Sequence, residues 1–155
     1  MWQRIQTVFL VVIVVCMIAG IFLPIGVFTD PATQATHELY PLHYSIKENG
    51  QTVTTYFPYS ITAILMIAAG TLAGMSITRY NNRMTQVKIG TLNSLILAGA
   101  ILSAYLFFRE LATQFQGANL GLVVWVAVVA AFCNWLALRF IRKDEKLVRD
   151  ADRLR

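Results

Sequence analysis

Two histidines, two cysteines and two asparagines in apolar surroundings are the residues whose types could do chemistry in this chain. His37 and His43 are the only histidines, and with Glu38 they invite a metal reading. Zinc sites draw on closely spaced helical pairs or on cysteines, and five intervening residues with no nearby cysteine fit neither pattern. Loop or cross-strand histidines are the reading that remains, with no metal expected. Cys16 and Cys133 each stand alone in an apolar run, so they lack the pairing that thiol-to-quinone electron transfer needs and read as small core residues. Asn93 and Asn134 could either line a polar ligand cavity or hydrogen-bond helix to helix.

Several chemistries have no residues to carry them. A membrane haem asks for intramembrane histidine, and ion coupling for a buried carboxylate or histidine. The apolar runs contain neither. A P-loop, a nucleophile elbow and a zinc helix are also missing from the sequence, so no catalytic residue and no cofactor is expected.

The elements that must position these residues follow from composition. Of the 155 residues 57% are hydrophobic and only 14% charged, against roughly 25% charged in an ordinary globular domain. Four apolar runs, 5–28, 59–78, 89–108 and 120–141, are each long enough for a bilayer core about 30 Å thick. The expectation is an all-α integral membrane protein, residues 1–155 forming one four-helix domain. The first run exceeds the apolar stretch of a secretory signal and is read as an uncleaved anchor. Basic residues do not gather on a nucleic-acid reading module, so no such partner is expected.

Charge gives orientation. With both ends of the chain and the 79–88 loop on one side, that side holds eleven of the thirteen Lys and Arg; only Lys47 and Arg109 fall on the other. Four acids lie on each side, leaving +7 and −2. By the positive-inside rule both termini are cytoplasmic. Trp2, Tyr59, Tyr80, Tyr105, Trp125 and Trp135 fall near span ends, as interfacial aromatics do.

Small residues mark the faces where helices can approach. Gly70, Gly74 and Thr78 recur on the second run, Gly90, Ser94 and Ala98 on the third, and Ala127, Ala130, Ala131, Asn134 and Ala137 on the fourth. Helix packing is assigned to Gly70, Gly74, Gly90, Ser94, Asn93 and Asn134, with Asn81 and Asn82 in the hairpin loop between the second and third runs. Outside, segment 29–58 contains Asn49-Gly50, a strong two-residue turn signal, between alternating residues. The spacing predicts a small β-hairpin with Ile46 opposite Val53, Tyr44 opposite Thr55 and Leu42 opposite Phe57. His43/Tyr56 and Ser45/Thr54 fall on the other face. An isolated hairpin is marginal in water, so its apolar face should rest on the helices or on a partner.

The chain closes on "RKDEKLVRDADRLR", residues 142–155, ten of whose fourteen residues are charged. Ile141, Leu147, Val148, Ala151 and Leu154 fall near one stripe at helical spacing, and Glu145/Arg149 and Lys146/Asp150 are spaced as i, i+4 pairs. A cytoplasmic helix extending the fourth run is expected, with Leu147, Ala151 and Leu154 as a candidate docking stripe. Together with the opening "QRIQTVFL" (residues 3–10), this ending resembles the end signatures of a bacterial family of small four-span inner-membrane proteins catalogued only as a domain of unknown function. The resemblance spans essentially the whole chain. It departs at Leu138-Arg139, where family members tend to carry an Asn-Arg pair, and it supplies no catalytic residues. The function expected from these features is a non-enzymatic accessory or scaffold subunit that meets the lipid bilayer and a membrane-protein partner or a second copy. The alternative is a small-molecule or lipid transporter with a polar cavity at Asn93 and Asn134.

Overall fold

The computed structural model describes residues 3–30, 33, 35–48, 50–79, 82–115 and 117–153. Trp2, Asn49, Tyr80, Asn81 and Leu154 lie outside them. The described residues form four helices, α1 (Gln3–Ile21), α2 (Ser60–Thr78), α3 (Arg83–Gln114) and α4 (Leu122–Arg153). They also form five strands, β1 (Gly26–Thr29), β2 (Thr36–Leu39), β3 (Tyr44–Glu48), β4 (Gln51–Thr55) and β5 (Asn119–Leu120). The protein is thus mostly helical with a small sheet, and α2, α3 and α4 through Leu147 are long and apolar enough to cross a membrane. The apolar part of α1, Ile5–Ile21, is shorter.

Each helix lies against two others, α1 and α3 both packing on α2 and α4. Contacts near opposite ends make the neighbours antiparallel. Phe9 of α1 stacks on Phe140 of α4 at 5.9 Å, and Thr62 at the start of α2 meets Ser103 late in α3 at 3.0 Å. The packing faces follow the 3.6-residue period: Met66, Ala69, Ala73 and Ser76 are buried on α2, and Gly90, Asn93, Leu97, Ala100 and Ala104 on α3.

The apolar run 5–28 is not one helix. Helix α1 stops at Ile21, three residues ahead of Pro24, whose ring disfavours helical geometry in the residue before it and which has no N–H to continue the ladder. The rest of the run turns and becomes β1, which is apolar because it lies inside a sheet, with Ile25 and Phe28 fully buried. The expected hairpin is therefore two strands of a five-stranded antiparallel sheet in the order β4-β3-β2-β1-β5. The predicted pairs Tyr44/Thr55, Ser45/Thr54 and Ile46/Val53 are found, closed by Glu48 opposite Gln51, whereas Leu42/Phe57 and His43/Tyr56 fall beyond the end of the ladder. Gly50 sits in the turn with φ +78°, a left-handed value that glycine adopts without cost. At the opposite edge Gly121 donates its N–H to the Ile25 carbonyl at 2.7 Å, and a Cβ there would run into the Pro24 carbonyl oxygen.

The other boundaries shift as well. Expected to start at residue 89, α3 begins at Arg83 because the Asn82 side chain accepts from the Thr85 N–H at 3.1 Å, capping the helix one and a half turns early. It also runs on to Gln114, past the end of the apolar run. Helix α4 continues without a break into the charged ending, as the stripe of apolar residues predicts.

Candidate functional site

One end of the helix layer carries the sheet. The other, where α1 begins, α2 joins α3 and α4 continues into the charged ending, gathers most of the buried polar side chains. Asn93 and Asn134, each 1% exposed, meet there: the Asn93 amide donates to Asn134 Oδ1 at 3.3 Å. The Asn134 amide donates in turn to the Gly90 carbonyl at 2.9 Å and to Ser94 Oγ at 2.8 Å. Asn93 Oδ1 has no partner among the described residues. Hydrogen-bonded directly to each other, the two amides stitch α3 to α4, and neither lines the two grooves described below.

The helix-packing residues divide. Gly90 lies close under Leu138, where a Cβ would come within 2.7 Å of that side chain. Ser94 is at the exposed rim, joined through its hydroxyl, and Ala98 is exposed. Gly70 makes ordinary contact with Met17 of α1, whereas nothing lies within 4 Å of a Cβ placed on Gly74. Gly74 is therefore not a packing residue within the chain. The close face of α2 is carried by Ala69 and Ala73 instead, because one position around the helix rotates the contact by about 100°.

Sequence reasoning missed a clasp just beyond these amides. Buried Gln6 of α1 donates from Nε2 to Asp144 Oδ2 at 3.0 Å, and Arg83 of α3 donates to the Asp144 carbonyl at 2.9 Å. Nearby, Gln86 donates to the Ser76 carbonyl at 2.8 Å, tying α3 to α2 where the two helices turn. Gln6 and Asp144 are 138 positions apart, so segments far apart in the sequence meet in space. The available signal was a glutamine inside an otherwise apolar run. Leu147 follows one turn later and is 58% exposed.

Among the described residues, grooves open on two faces of the helix layer. One, of about 230 Å³, is apolar and lies between α1 and α2, with Met17, Met66 and Gly70 in its wall. The other, of about 390 Å³, runs between α3 and α4 and is lined by Thr91, Ser94, Trp135, Leu138, Arg139 and Arg142. The Arg139 guanidinium sits 5.6 Å from the centre of the Trp135 ring.

At the sheet end His37 is buried in β2, beside its cross-strand neighbours Phe28 and Ile46. Its ring stacks on Phe115 at 4.0 Å, and Nδ1 shares a hydrogen bond of 2.5 Å with the Tyr44 hydroxyl. Burial, with the nearby Tyr59 adding to it, pushes the Tyr44 hydroxyl up to about 12. Tyr44 therefore stays a neutral phenol that shares this hydrogen bond with Nδ1, while His37 Nε2 has no partner among the described residues. His43 stacks instead on Tyr40 at 5.0 Å, outside this cluster. Glu38 is engaged by Lys47 at 2.7 Å, a contact that raises the lysine. Among the described residues no three of His, Cys, Asp and Glu gather as metal ligands, and both cysteines are free thiols.

A helical layer with buried amides, a polar clasp and an aromatic-backed sheet is the arrangement against which known proteins can be compared. No curated protein matches the chain. A family model described as a domain of unknown function (DUF4293) matches residues 2–154, and the chain therefore belongs to that family.

Proposed function

We propose that the protein is a four-span inner-membrane scaffold, non-enzymatic, which presents its charged ending to a cytoplasmic partner. One observation carries the reading: α4 is a continuous helix of 32 residues, about 48 Å at the standard rise, where a bilayer core takes about 30 Å. The excess stands clear of the membrane at its charged end, and its base is anchored by Asp144 to α1 and α3 rather than left free. Exposed Leu147 begins the stripe that would continue through Ala151 and Leu154 and meet the partner. The position of α1 along both α2 and α4 supports counting it as a fourth span. Placement of both termini in the cytoplasm rests on the eleven-to-two distribution of basic residues.

Affinity purification from native membranes in mild detergent tests this, comparing the full chain with one ending at Lys146, which keeps Asp144 and the clasp. A stoichiometric partner that is lost on truncation is the expected result. A monomer without companions from both forms would sink the scaffold reading.

A further inference from the structure

The α3–α4 groove has two unlike halves. Arg139 and Arg142 form one side, both exposed, and neither makes an ion pair among the described residues. Trp135 and Leu138 form an apolar wall one turn deeper. The two hydroxyls contribute little recognition of their own. Thr91 Oγ1 donates to the Val87 carbonyl and Ser94 Oγ to the Gly90 carbonyl, so their protons are already used by the helix. What is left is a pair of guanidinium forks beside a hydrocarbon surface.

The position of these arginines matters. Arg139 lies within the last turn of the apolar run 120–141, where an unpaired cation is costly unless an anion or water reaches it. Asp144, the nearest acidic side chain along the charged ending, is turned away to Gln6 on α1. A guanidinium matches the geometry of phosphate oxygens, and basic grooves between helices at this depth suit phospholipid headgroups. A free phosphate ion would use the arginines and leave the Trp135 and Leu138 wall unused. A phospholipid uses both halves.

We propose that the groove between α3 and α4 seats an anionic phospholipid, its phosphate between Arg139 and Arg142 and its first acyl carbons against Trp135 and Leu138. The proposal rests on the membrane reading above but not on the scaffold reading.

The test is native mass spectrometry of the delipidated full chain in detergent, titrated separately with dioleoyl phosphatidylglycerol, dioleoyl phosphatidylcholine and inorganic phosphate. Phosphatidylglycerol is expected to bind at least tenfold more tightly than phosphatidylcholine. With about 1 kcal/mol per interfacial arginine, Arg142→Gln should weaken phosphatidylglycerol binding about fivefold and Arg139→Gln/Arg142→Gln about thirtyfold. Arg79→Gln/Lys88→Gln, which removes the same charge at the same end but outside the groove, should change it less than threefold. Equal binding of the two lipids, or equal losses in the two double variants, would overturn the proposal. So would displacement of phosphatidylglycerol by millimolar phosphate, which would make the ligand a free anion. Arg142 is exposed, so the single variant keeps the test sharp should the groove double variant fail to fold; an unchanged affinity in it counts against the site. Release of the wild-type chain from membranes by alkaline carbonate would instead remove the membrane reading itself.

Discussion

The two ends of the helix layer are held together by different physics. At the sheet end a backbone ladder runs through five strands, and Phe28, Phe107, Phe108, Phe115, Tyr44 and Tyr59 pack behind it in pairs with ring centres 5.2–6.5 Å apart. At the end with the chain termini there is no sheet, and side-chain amides do the joining: Asn93 and Asn134 between α3 and α4, Gln86 between α3 and α2, Gln6 between α1 and α4. Ladder hydrogen bonds depend on backbone geometry and tolerate many side chains, whereas an amide pair depends on two residues and fails when either is changed. One end is thus robust to substitution except where the backbone itself is crowded. The other is held by a few replaceable groups.

Substitutions can break this contrast, beginning with the most damaging. Gly121→Val should cost about 3 kcal/mol, because the new side chain meets the Pro24 backbone and not a flexible side chain. Loss of folded yield in detergent would report it, and normal melting would show that the β1–β5 edge is less crowded than its geometry implies. Asn134→Leu should cost about 2 kcal/mol, since it removes one accepted and two donated hydrogen bonds; Asn93→Leu should cost about half that, because Asn93 makes one bond and already leaves Oδ1 unpaired. Thermal melting of the two variants side by side decides it, and equal losses would mean that the pair acts as a single unit.

A smaller effect is expected at the clasp. Asp144→Ala should cost about 1 kcal/mol and expose residues 145–153 to limited proteolysis, with the sheet end unaffected. Unchanged cleavage would show that α4 holds the ending without α1. The smallest effect is at Tyr44. Its folded-state value, raised to about 12 from an ordinary 10, means that the folded chain keeps a proton which the unfolded chain gives up. Stability is unaffected by this group below pH 10 and falls as pH rises from about 10 to about 12. Tyr44→Phe should flatten that slope, read by sheet-end fluorescence or hydrogen exchange; an unchanged alkaline slope would assign it elsewhere.

Much of this was legible in the residues. Apolar runs, the Asn49-Gly50 signal and the spacing of the charged ending foretold helical segments, the β3–β4 register and the unbroken α4, because each depends on local periodicity or turn chemistry. The strand β1 was hidden inside an apolar run, since its four residues are too few for their alternation to stand out from the run that precedes them. Pro24 was the visible warning. The choice of Ala69 and Ala73 over Gly70 and Gly74 as the close face of α2 could not be read either, because small residues say where helices can approach and not which neighbour is there.

The sequence by itself determined the membrane-compatible helices, the strand pairing around residues 49–50, the charge asymmetry of the two sides and membership of the DUF4293 family. All of these are local or additive properties. Only the tertiary structure decided that β1 and β5 extend the hairpin into a sheet, that Asn93 and Asn134 close on each other, that Gln6 reaches Asp144, and that Arg139 and Arg142 share a groove with Trp135. Gln6 and Asp144 are 138 positions apart, and no periodicity along a chain encodes which of several antiparallel helices will lie beside another. That choice is made by packing, where side-chain shape and the pairing of buried polar groups select one arrangement of the helices over the rest.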